Sequence, residues 1–208
     1  TPLAVVRGEL EALQDGVRSL DGDAVDSLHA DILRLGRLVD DLYELSMSDL
    51  GALDYRKADI DPAKVLADDL NAMSPEYERA DIALEFQNHL AQPVALHADA
   101  DRLSQLFRNL LNNTLRYTDS GGRLLVELHQ TPDWLVVDFQ DSSPGVAEED
   151  LAHLFERFYR VEASRSRAHG GAGLGLAICR NIVEAHNGRI SAGAASLGGL
   201  WVRVELPL

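Results

Sequence analysis

Residues 169–178 are His-Gly-Gly-Ala-Gly-Leu-Gly-Leu-Ala-Ile, so four glycines in six residues run directly into an apolar, helix-like segment. Glycine has no Cβ, which lets a loop approach a ligand closely, and the free N–H groups at the start of a helix bind anions. The stretch predicts a phosphate-binding loop, although a flexible surface turn also explains a glycine cluster taken alone. Gly175 is followed by Leu176, which excludes the ending of a P-loop and the third glycine of a dinucleotide fingerprint.

The composition describes an acidic globular protein. Its 208 residues are 46% hydrophobic and 25% charged, enough for one large domain or two modest ones. With 19 basic and 34 acidic residues the net charge is −15, which argues against nucleic-acid binding. Cys179 is the single cysteine, so we expect no internal disulfide, a buried core residue and a reducing, cytoplasmic setting. We expect neither a membrane span nor a signal peptide, and the start at Thr1 leads us to expect a fragment of a longer protein.

Two apolar stretches near the start follow a spacing of three and four residues. The first consists of Leu3, Val6, Leu10, Leu13 and Val17, and the second of Leu28, Ile32, Leu35, Val39 and Leu42. This heptad spacing, interrupted by a polar interval at 20–23, predicts a hairpin of two helices of about 20 residues each. A hairpin leaves its apolar seam partly uncovered, so we expect a second copy to complete a four-helix bundle; packing on the chain's own second domain is the alternative.

The heptad is lost in the segment 46–58, and a mixed α and β pattern follows. We therefore predict a helical hairpin at 1–48, a linker at 49–58 and a second domain at 59–208. In that domain Pro62 opens one helix and Asp99 caps another. Helices are predicted at 62–79, from 99 to a turn at 119–122, at 151–158 and at 174–186, and strands at 82–86, 94–97, 124–128, 135–139, 189–192 and 201–206. These elements predict an α+β protein whose second domain is a two-layer α/β sandwich.

Three asparagines lie on the apolar helix that follows Asp99. A spacing of four places Asn109 and Asn113 on one face, next to buried leucines. Asparagine lowers helix propensity and is costly to bury unpaired, so these side chains need partners. A carboxamide oxygen suits Mg²⁺, which takes few protein ligands and fills its shell with water and phosphate oxygens. Asparagines that cap the helix or bond a loop are the alternative.

Asp141 ends a predicted strand and is followed by Ser142, Ser143, Pro144 and Gly145. A carboxylate at a strand end can accept a hydrogen bond from an exocyclic amine such as that of adenine, and Gly145 lets a ring approach the backbone. An ordinary Asx or proline turn is the alternative.

Four segments in this order resemble the boxes of the catalytic domain of sensor histidine kinases, which share their ATP-binding fold with gyrase and Hsp90-type chaperones. They are the asparagine helix 109–118, the aspartate turn 141–146, the aromatic segment 154–160 and the glycine stretch 171–178. The first helix is similar to the segment directly after the phosphorylated histidine of that family. The resemblance covers the whole chain and is strongest to the envelope-stress type of these kinases. It implies an antiparallel helical hairpin, half of a dimeric four-helix bundle, followed by a GHKL-type (Bergerat) ATP-binding sandwich.

The resemblance also implies roles for individual residues. Asn113 would bind the Mg²⁺ that bridges the phosphates, Asp141 would take the adenine amine, and Arg160 would neutralise charge near the γ-phosphate. Phe155 and Phe158 would anchor a mobile lid at 160–172. The nucleotide-binding residues implied are Asn109, Asn113, Arg116, Tyr117, Asp141, Gly145, Gly171, Gly173, Leu174, Gly175 and Leu176.

The chain departs from the family pattern at two places. Many relatives have glycine where Ser143 stands, but Pro144 and Gly145 are kept, so we expect ATP binding to be retained. The phosphorylated histidine would precede Thr1, and none of the seven histidines present has its sequence context. We therefore expect this chain to bind ATP without autophosphorylating. Thr1 matches the position that orients water in relatives with phosphatase activity.

The function implied is that of the cytoplasmic kinase core of a bacterial inner-membrane sensor histidine kinase. It would form a homodimer through the hairpin, and the parent protein would pass phosphate from ATP to its histidine and then to the receiver domain of a response regulator. No nucleic-acid partner is expected, and the membrane would be reached only through segments outside this chain. A non-kinase GHKL-type ATPase is one alternative, against which the heptad hairpin argues. A dimerisation or regulator-binding module is another, against which the intact Asn113 and Asp141 argue.

Overall fold

The computed structural model describes residues 2–17, 19, 21–50, 52–142, 144–161 and 172–208. The chain divides into two compact units, Thr1–Ala52 and Leu53–Leu208. None of the described helices is both long enough and apolar enough to cross a membrane.

The first unit consists of two helices, α1 (Pro2–Gln14) and α2 (Gly22–Asp49). The Asp21 side chain accepts a hydrogen bond from the Ala24 N–H at 2.9 Å, which caps the start of α2. Ser27 donates to Glu9 at 3.4 Å between the two helices. The predicted hairpin is therefore confirmed, although α2 is longer than expected and continues to Asp49.

A five-stranded sheet forms one layer of the second unit. Its order is β2-β4-β5-β7-β6, in which β2 and β4 are parallel and the other neighbours antiparallel. The strands are β1 (Ala58–Ile60), β2 (Ala83–Asn88), β3 (Leu96–Ala98), β4 (Arg123–Gln130), β5 (Trp134–Ser142), β6 (Arg189–Ala194) and β7 (Gly198–Pro207). The short strand β1, absent from the sequence prediction, pairs with β3 in a separate two-stranded sheet.

Three helices form the other layer: α3 (Pro62–Arg79), α4 (Ala100–Tyr117) and α6 (Gly175–Ala185). Pro62 begins α3, and the Asp99 carboxylate caps α4 by accepting from the N–H groups of its first turn, as predicted. The α4 helix packs on the sheet through Phe107, whose ring lies 6.4 Å from that of Phe139. The two-layer sandwich predicted from the sequence is confirmed.

The helix predicted at 151–158 is wrong. Only α5 (Glu148–Leu151) is helical there, and turns follow it. The Tyr159 hydroxyl bonds to the Asp150 carboxylate, and the Phe158 N–H donates to the Gly173 carbonyl at 2.8 Å. Phe158 has a positive φ of 64°, which no helix accommodates. Local turn bonds such as the Glu156 N–H to the His153 carbonyl, and one long-range bond from Phe158 to Gly173, therefore take the place of a regular helix in this segment.

Candidate nucleotide-binding site

The asparagines of α4 differ in how their side chains are engaged. The exposed Asn112 donates its Nδ2 to the Arg108 carbonyl at 2.8 Å, so it bonds its own helix. Asn109 and Asn113 are half-buried, and among the described residues nothing hydrogen-bonds to either carboxamide. Of the three asparagines, only Asn112 fits the helix-bonded alternative. The other two present amide oxygens from one face of α4, which suits a hard cation or a polar ligand.

Asp141 is a buried carboxylate at the end of β5, with 6% of its surface exposed. Its Oδ1 accepts the Leu200 N–H at 2.6 Å. Burial raises the pKa of Asp141 to about 6, and the Leu200 N–H opposes that rise. Among the described residues no cation pairs with this carboxylate. A buried, unpaired carboxylate is costly, and a ligand that donates a hydrogen bond would offset that cost.

The polar groups beneath α4 lie close to this carboxylate. The buried Tyr77 hydroxyl donates to the Leu111 carbonyl at 2.7 Å. The pKa of Tyr77 is raised, first by burial and then by the negative charge of Asp141. The Thr118 hydroxyl, at the end of α4, is buried and has no hydrogen-bond partner among the described residues. Such an orphaned hydroxyl is the kind of group that a ligand or a bound water satisfies.

Glycines form the wall beside Asp141. A Cβ at Gly199 would lie 2.1 Å from the Asp141 Oδ1, and a Cβ at Gly145 would lie 3.1 Å from the Gly198 carbonyl oxygen. The first distance is too short for any side chain, so the backbone approaches Asp141 this closely only because residue 199 is glycine, whereas the second is a tight contact that a small shift of the neighbour would relieve. Sequence reasoning found Gly145 but missed Gly199 and the Leu200 N–H. The signal available was the pair Gly198-Gly199 at the start of the last strand.

The start of α6 lies directly after the glycine stretch. The helix begins at Gly175, and its N-cap residue Leu174 makes no side-chain hydrogen bond to the first turn. The N-cap side chain therefore leaves the N–H groups of that turn unbonded, and the positive end of the helix dipole lies there. Leu174 is buried and Leu176 half-buried, which fixes this helix end against the core. The arrangement suits a phosphate group.

The aromatic segment and the glycine stretch meet at Gly173. This residue has a positive φ of 75°, and a Cβ on it would lie 2.6 Å from the Tyr159 carbonyl oxygen. The Gly173 carbonyl accepts the Phe158 N–H, so the two segments are joined by their backbones. Arg160 is half-buried and follows directly. The structure thus places the two predicted segments side by side.

Phe158 does not anchor this segment as expected. Its side chain is 62% exposed, because its positive φ directs the chain away from the helical path that the prediction assumed. Phe155 is half-buried and lines a cavity of about 360 Å³ together with Arg180, Glu184, Gly188, Arg189 and Ile190.

The remaining predicted residues are distributed along the same two helices. Cys179 on α6 is buried as predicted and contacts the Leu106 carbonyl of α4 at 3.7 Å, so the two helices lie side by side. Arg116 is exposed and Tyr117 half-buried in the last turn of α4. Thr1, Ser143 and Gly171, and residues 162–170 of the expected lid, lie outside the described residues.

The start of α6, two asparagines of α4 without a hydrogen bond among the described residues and the buried Asp141 carboxylate thus lie in one two-layer sandwich. The chain belongs to the family of histidine kinase-, DNA gyrase B- and HSP90-like ATPases, whose model matches residues 98–208. The model of the His Kinase A (phospho-acceptor) domain matches residues 1–51. Together the two matches make the chain a histidine kinase catalytic core of the two-component type with an ATP-binding domain.

Similar proteins agree with this assignment. The chain is 53% identical to the signal transduction histidine-protein kinase BaeS of Escherichia coli (strain K12), over all of this chain and 44% of that protein. The structure of the Acinetobacter baumannii histidine kinase AdeS has a TM-score of 0.83 at 25% identity, over 100% of this chain and 95% of that one. The histidine kinase ThkA, solved in complex with the response regulator protein TrrA, shares the fold with a TM-score of 0.79 at 18% identity, over 100% of this chain and 57% of that one. The chain thus spans less than half the length of BaeS.

Proposed function

We propose that this chain binds Mg-ATP and, within a longer sensor kinase, supplies the γ-phosphoryl group to a histidine of the helical hairpin. The observation on which this rests is Asp141, a buried carboxylate whose Oδ1 accepts one backbone N–H at 2.6 Å and with which no cation among the described residues pairs. Membership of the ATPase family supports ATP as the nucleotide. The match of the hairpin to the phospho-acceptor domain supports a histidine as the acceptor of the phosphoryl group.

The adenine end of the site is formed by Asp141 and its neighbours. With Oδ1 held by the Leu200 N–H, Oδ2 is available to accept the exocyclic amine of adenine. Gly199 leaves room for the Asp141 carboxylate itself, since a Cβ there would lie 2.1 Å from its Oδ1, and Gly145 is the residue proposed to let the ring approach the backbone. The orphaned Thr118 hydroxyl provides a further polar contact, directly or through a water.

The phosphate end of the site is formed by α4 and α6. The first turn of α6 donates backbone N–H groups to the phosphates, and Gly173 permits the tight turn before it. Asn113 provides a carboxamide oxygen to Mg²⁺ and Asn109 supports it; when bound, the ion neutralises phosphate charge. Arg160 stabilises the charge on the transferring phosphoryl group. Arg116, Tyr117 and Gly171 complete the set of residues proposed to contact the nucleotide.

We propose that the hairpin forms a homodimer through its heptad seam. Within one chain Leu10, Ile32, Val39 and Leu42 remain 47%, 55%, 60% and 50% exposed, which is a long apolar stripe for a monomer to leave in water. A second copy of the same stripe would bury it in a four-helix bundle.

A double charge on the seam is expected to dissociate this dimer. Ile32→Asp with Val39→Asp would bury carboxylates in the bundle core, which costs several kcal/mol or about a thousandfold in dimer affinity. Leu33→Asp is the matched control, since Leu33 is similarly exposed but lies outside the seam. Sedimentation equilibrium of the three proteins provides the comparison. A monomeric unaltered chain, or equal behaviour of the two variants, would contradict the proposal.

The partner proposed for the parent kinase is the receiver domain of a response regulator, docking near the hairpin. ThkA was solved with such a regulator, and this chain shares its fold. We also propose that the parent is a bacterial inner-membrane protein whose cytoplasmic part contains this chain, with the membrane reached through segments outside it.

Phosphoryl transfer is tested in the longer protein. With γ-labelled ATP and Mg²⁺, label should appear on a histidine upstream of Thr1, as a phosphoramidate that is stable to alkali and labile to acid. Changing that histidine to glutamine should remove the label while ATP binding persists. Release of labelled phosphate without any labelled histidine would instead favour the non-kinase ATPase.

A further inference from the structure

His186 is a buried histidine that the proposed site does not use. It lies directly after α6 and is 5% exposed. Its Nε2 accepts the Asp99 N–H at 3.0 Å, and its Nδ1 faces the Ile182 carbonyl at 2.8 Å. Since a carbonyl only accepts and an N–H only donates, both contacts are satisfied by one form alone, the neutral ring with its proton on Nδ1.

The residues that begin the second unit converge on the same place. The Tyr55 ring meets the His186 ring edge-on at 5.4 Å. The Arg56 N–H donates to the Asp99 Oδ2 at 2.7 Å, and the Lys57 ammonium donates to the Ala185 carbonyl at 2.7 Å. The segment 55–57 therefore contacts both the start of α4 and the end of α6.

These two helix ends lie opposite the nucleotide site. Asp99 caps α4, whose later turns present Asn109 and Asn113, and Ala185 ends α6, whose first turn is the uncapped phosphate-facing one. The boundary between the two units falls at residues 52 and 53, just before the segment 55–57. The first residues of the ATP-binding unit are thus bonded to α4 and α6, the two helices proposed to bind the phosphates.

We propose that the segment 55–57 acts as a clasp: it fastens the start of the ATP-binding unit to α4 and α6 while His186 is neutral. Acid, by protonating His186, releases the clasp. Protonation places a second N–H on the ring, pointing at the Asp99 N–H, so the bond between them is lost and two donors face each other. The backbone N–H of Asp99 donates to His186 and the Asp99 side chain accepts the Arg56 N–H, so both bonds depend on the position of this one residue.

Some of the groups around His186 lower its pKa and others raise it. Burial lowers the pKa of His186, and the nearby Lys57 ammonium lowers it further, whereas the Ile182 carbonyl and the Asp99 carboxylate oppose this. The Arg102 guanidinium lies 5.9 Å from the centre of the Tyr55 ring and adds positive charge on the α4 side. A histidine with a lowered pKa stabilises the folded form above its unfolded pKa, and that stability is lost as the pH falls through the folded value. The clasp is therefore held at neutral pH.

Hydrogen exchange of the Arg56 amide in the full chain tests this proposal without any nucleotide, so its outcome is independent of the proposed function. Protection is measured by NMR from about pH 7.5 down through the midpoint at which the His186 ring itself titrates, relative to intrinsic exchange rates. His186→Gln keeps an acceptor near the Nε2 position but does not titrate. His97→Gln is the matched control, because His97 is exposed and pairs with Asp59 at the surface.

The Arg56 amide should lose protection on acidification in the unaltered chain and in His97→Gln, and keep it in His186→Gln. Protection that stays constant in the unaltered chain, or falls equally in His186→Gln, would overturn the proposal. Because a variant can fail to fold, the ring of His186 is titrated in parallel in the unaltered chain. Its midpoint should coincide with the loss of Arg56 protection, and a clear separation of the two would also overturn the proposal.

Discussion

Asn113→Ala is expected to abolish Mg-ATP binding by this chain while leaving its fold intact. The half-buried Asn113 carboxamide makes no hydrogen bond to the described residues, so its removal breaks no hydrogen bond among them. Alanine also favours the helix by roughly 0.5 kcal/mol relative to asparagine. Loss of a ligand to a strongly charged complex costs about 3 kcal/mol or more, which lowers the affinity by at least about a hundredfold. Stability should therefore stay level or rise while nucleotide affinity collapses.

Asn112→Ala is the matched control for this experiment. Asn112 is also an asparagine and directly precedes Asn113 in α4, but it is exposed and donates to the Arg108 carbonyl. Isothermal titration calorimetry should give an unchanged Mg-ATP affinity for Asn112→Ala and no measurable binding for Asn113→Ala, with thermal unfolding as the check on folding. Equal affinities in the two variants would refute the role of Asn113.

Asp141→Asn is expected to make the nucleotide-free chain more stable and less able to bind ATP. Burial raises the pKa of Asp141 to about 6 from an ordinary value of 3.8, so ionising this group in the folded state is unfavourable. Stability therefore falls as the pH rises from about 4 to about 6, since the folded state binds the proton more tightly than the unfolded one. Asparagine removes the buried charge and keeps an oxygen for the Leu200 N–H. From these two pKa values we expect a gain of roughly 3 kcal/mol at neutral pH, and no fall in stability between about pH 4 and about pH 6.

The same substitution removes the charged acceptor proposed for the adenine amine. Hydrogen bonds to charged groups contribute roughly 1.5 to 3 kcal/mol, so ATP affinity should fall by at least about tenfold. Asp59→Asn is the matched control, because the Asp59 side chain is 80% exposed. Urea unfolding across the pH range and calorimetry with Mg-ATP give the two quantities. A variant less stable than the unaltered chain at neutral pH would show that Asp141 supports the fold and that its burial is not a cost.

Much of the architecture followed from local signals in the sequence. Apolar periodicity and the caps Pro62 and Asp99 predicted α3 and α4, because helix ends depend on residues that lie next to each other. The heptads predicted the hairpin and its uncovered seam for the same reason. The position of Asp141 at the end of β5 was also predictable from the short-range pattern around it, whereas its role toward a nucleotide stays a prediction.

The features that were missed depend on contacts between distant segments. Phe158 leaves the helical path because its N–H bonds the carbonyl of Gly173, fifteen positions later in the chain. Gly199 on β7 lies against Asp141 on the neighbouring strand β5. This contact depends on the register of the two strands, which hydrophobic periodicity does not predict. His186 likewise bonds Asp99 across the fold, and nothing near it in the sequence indicates this.

The central claim is that the nucleotide site needs both Asp141 and a cation bound by Asn113. Its most direct test is to titrate the unaltered chain with ATP in the presence of Mg²⁺ and again with a chelator. The account predicts one ATP per chain with Mg²⁺, a weakening of at least about tenfold when the metal is removed, and a loss of affinity as the pH falls below about 6 and Asp141 is protonated. Binding that is absent, or that is equally tight without the metal and at low pH, would contradict it.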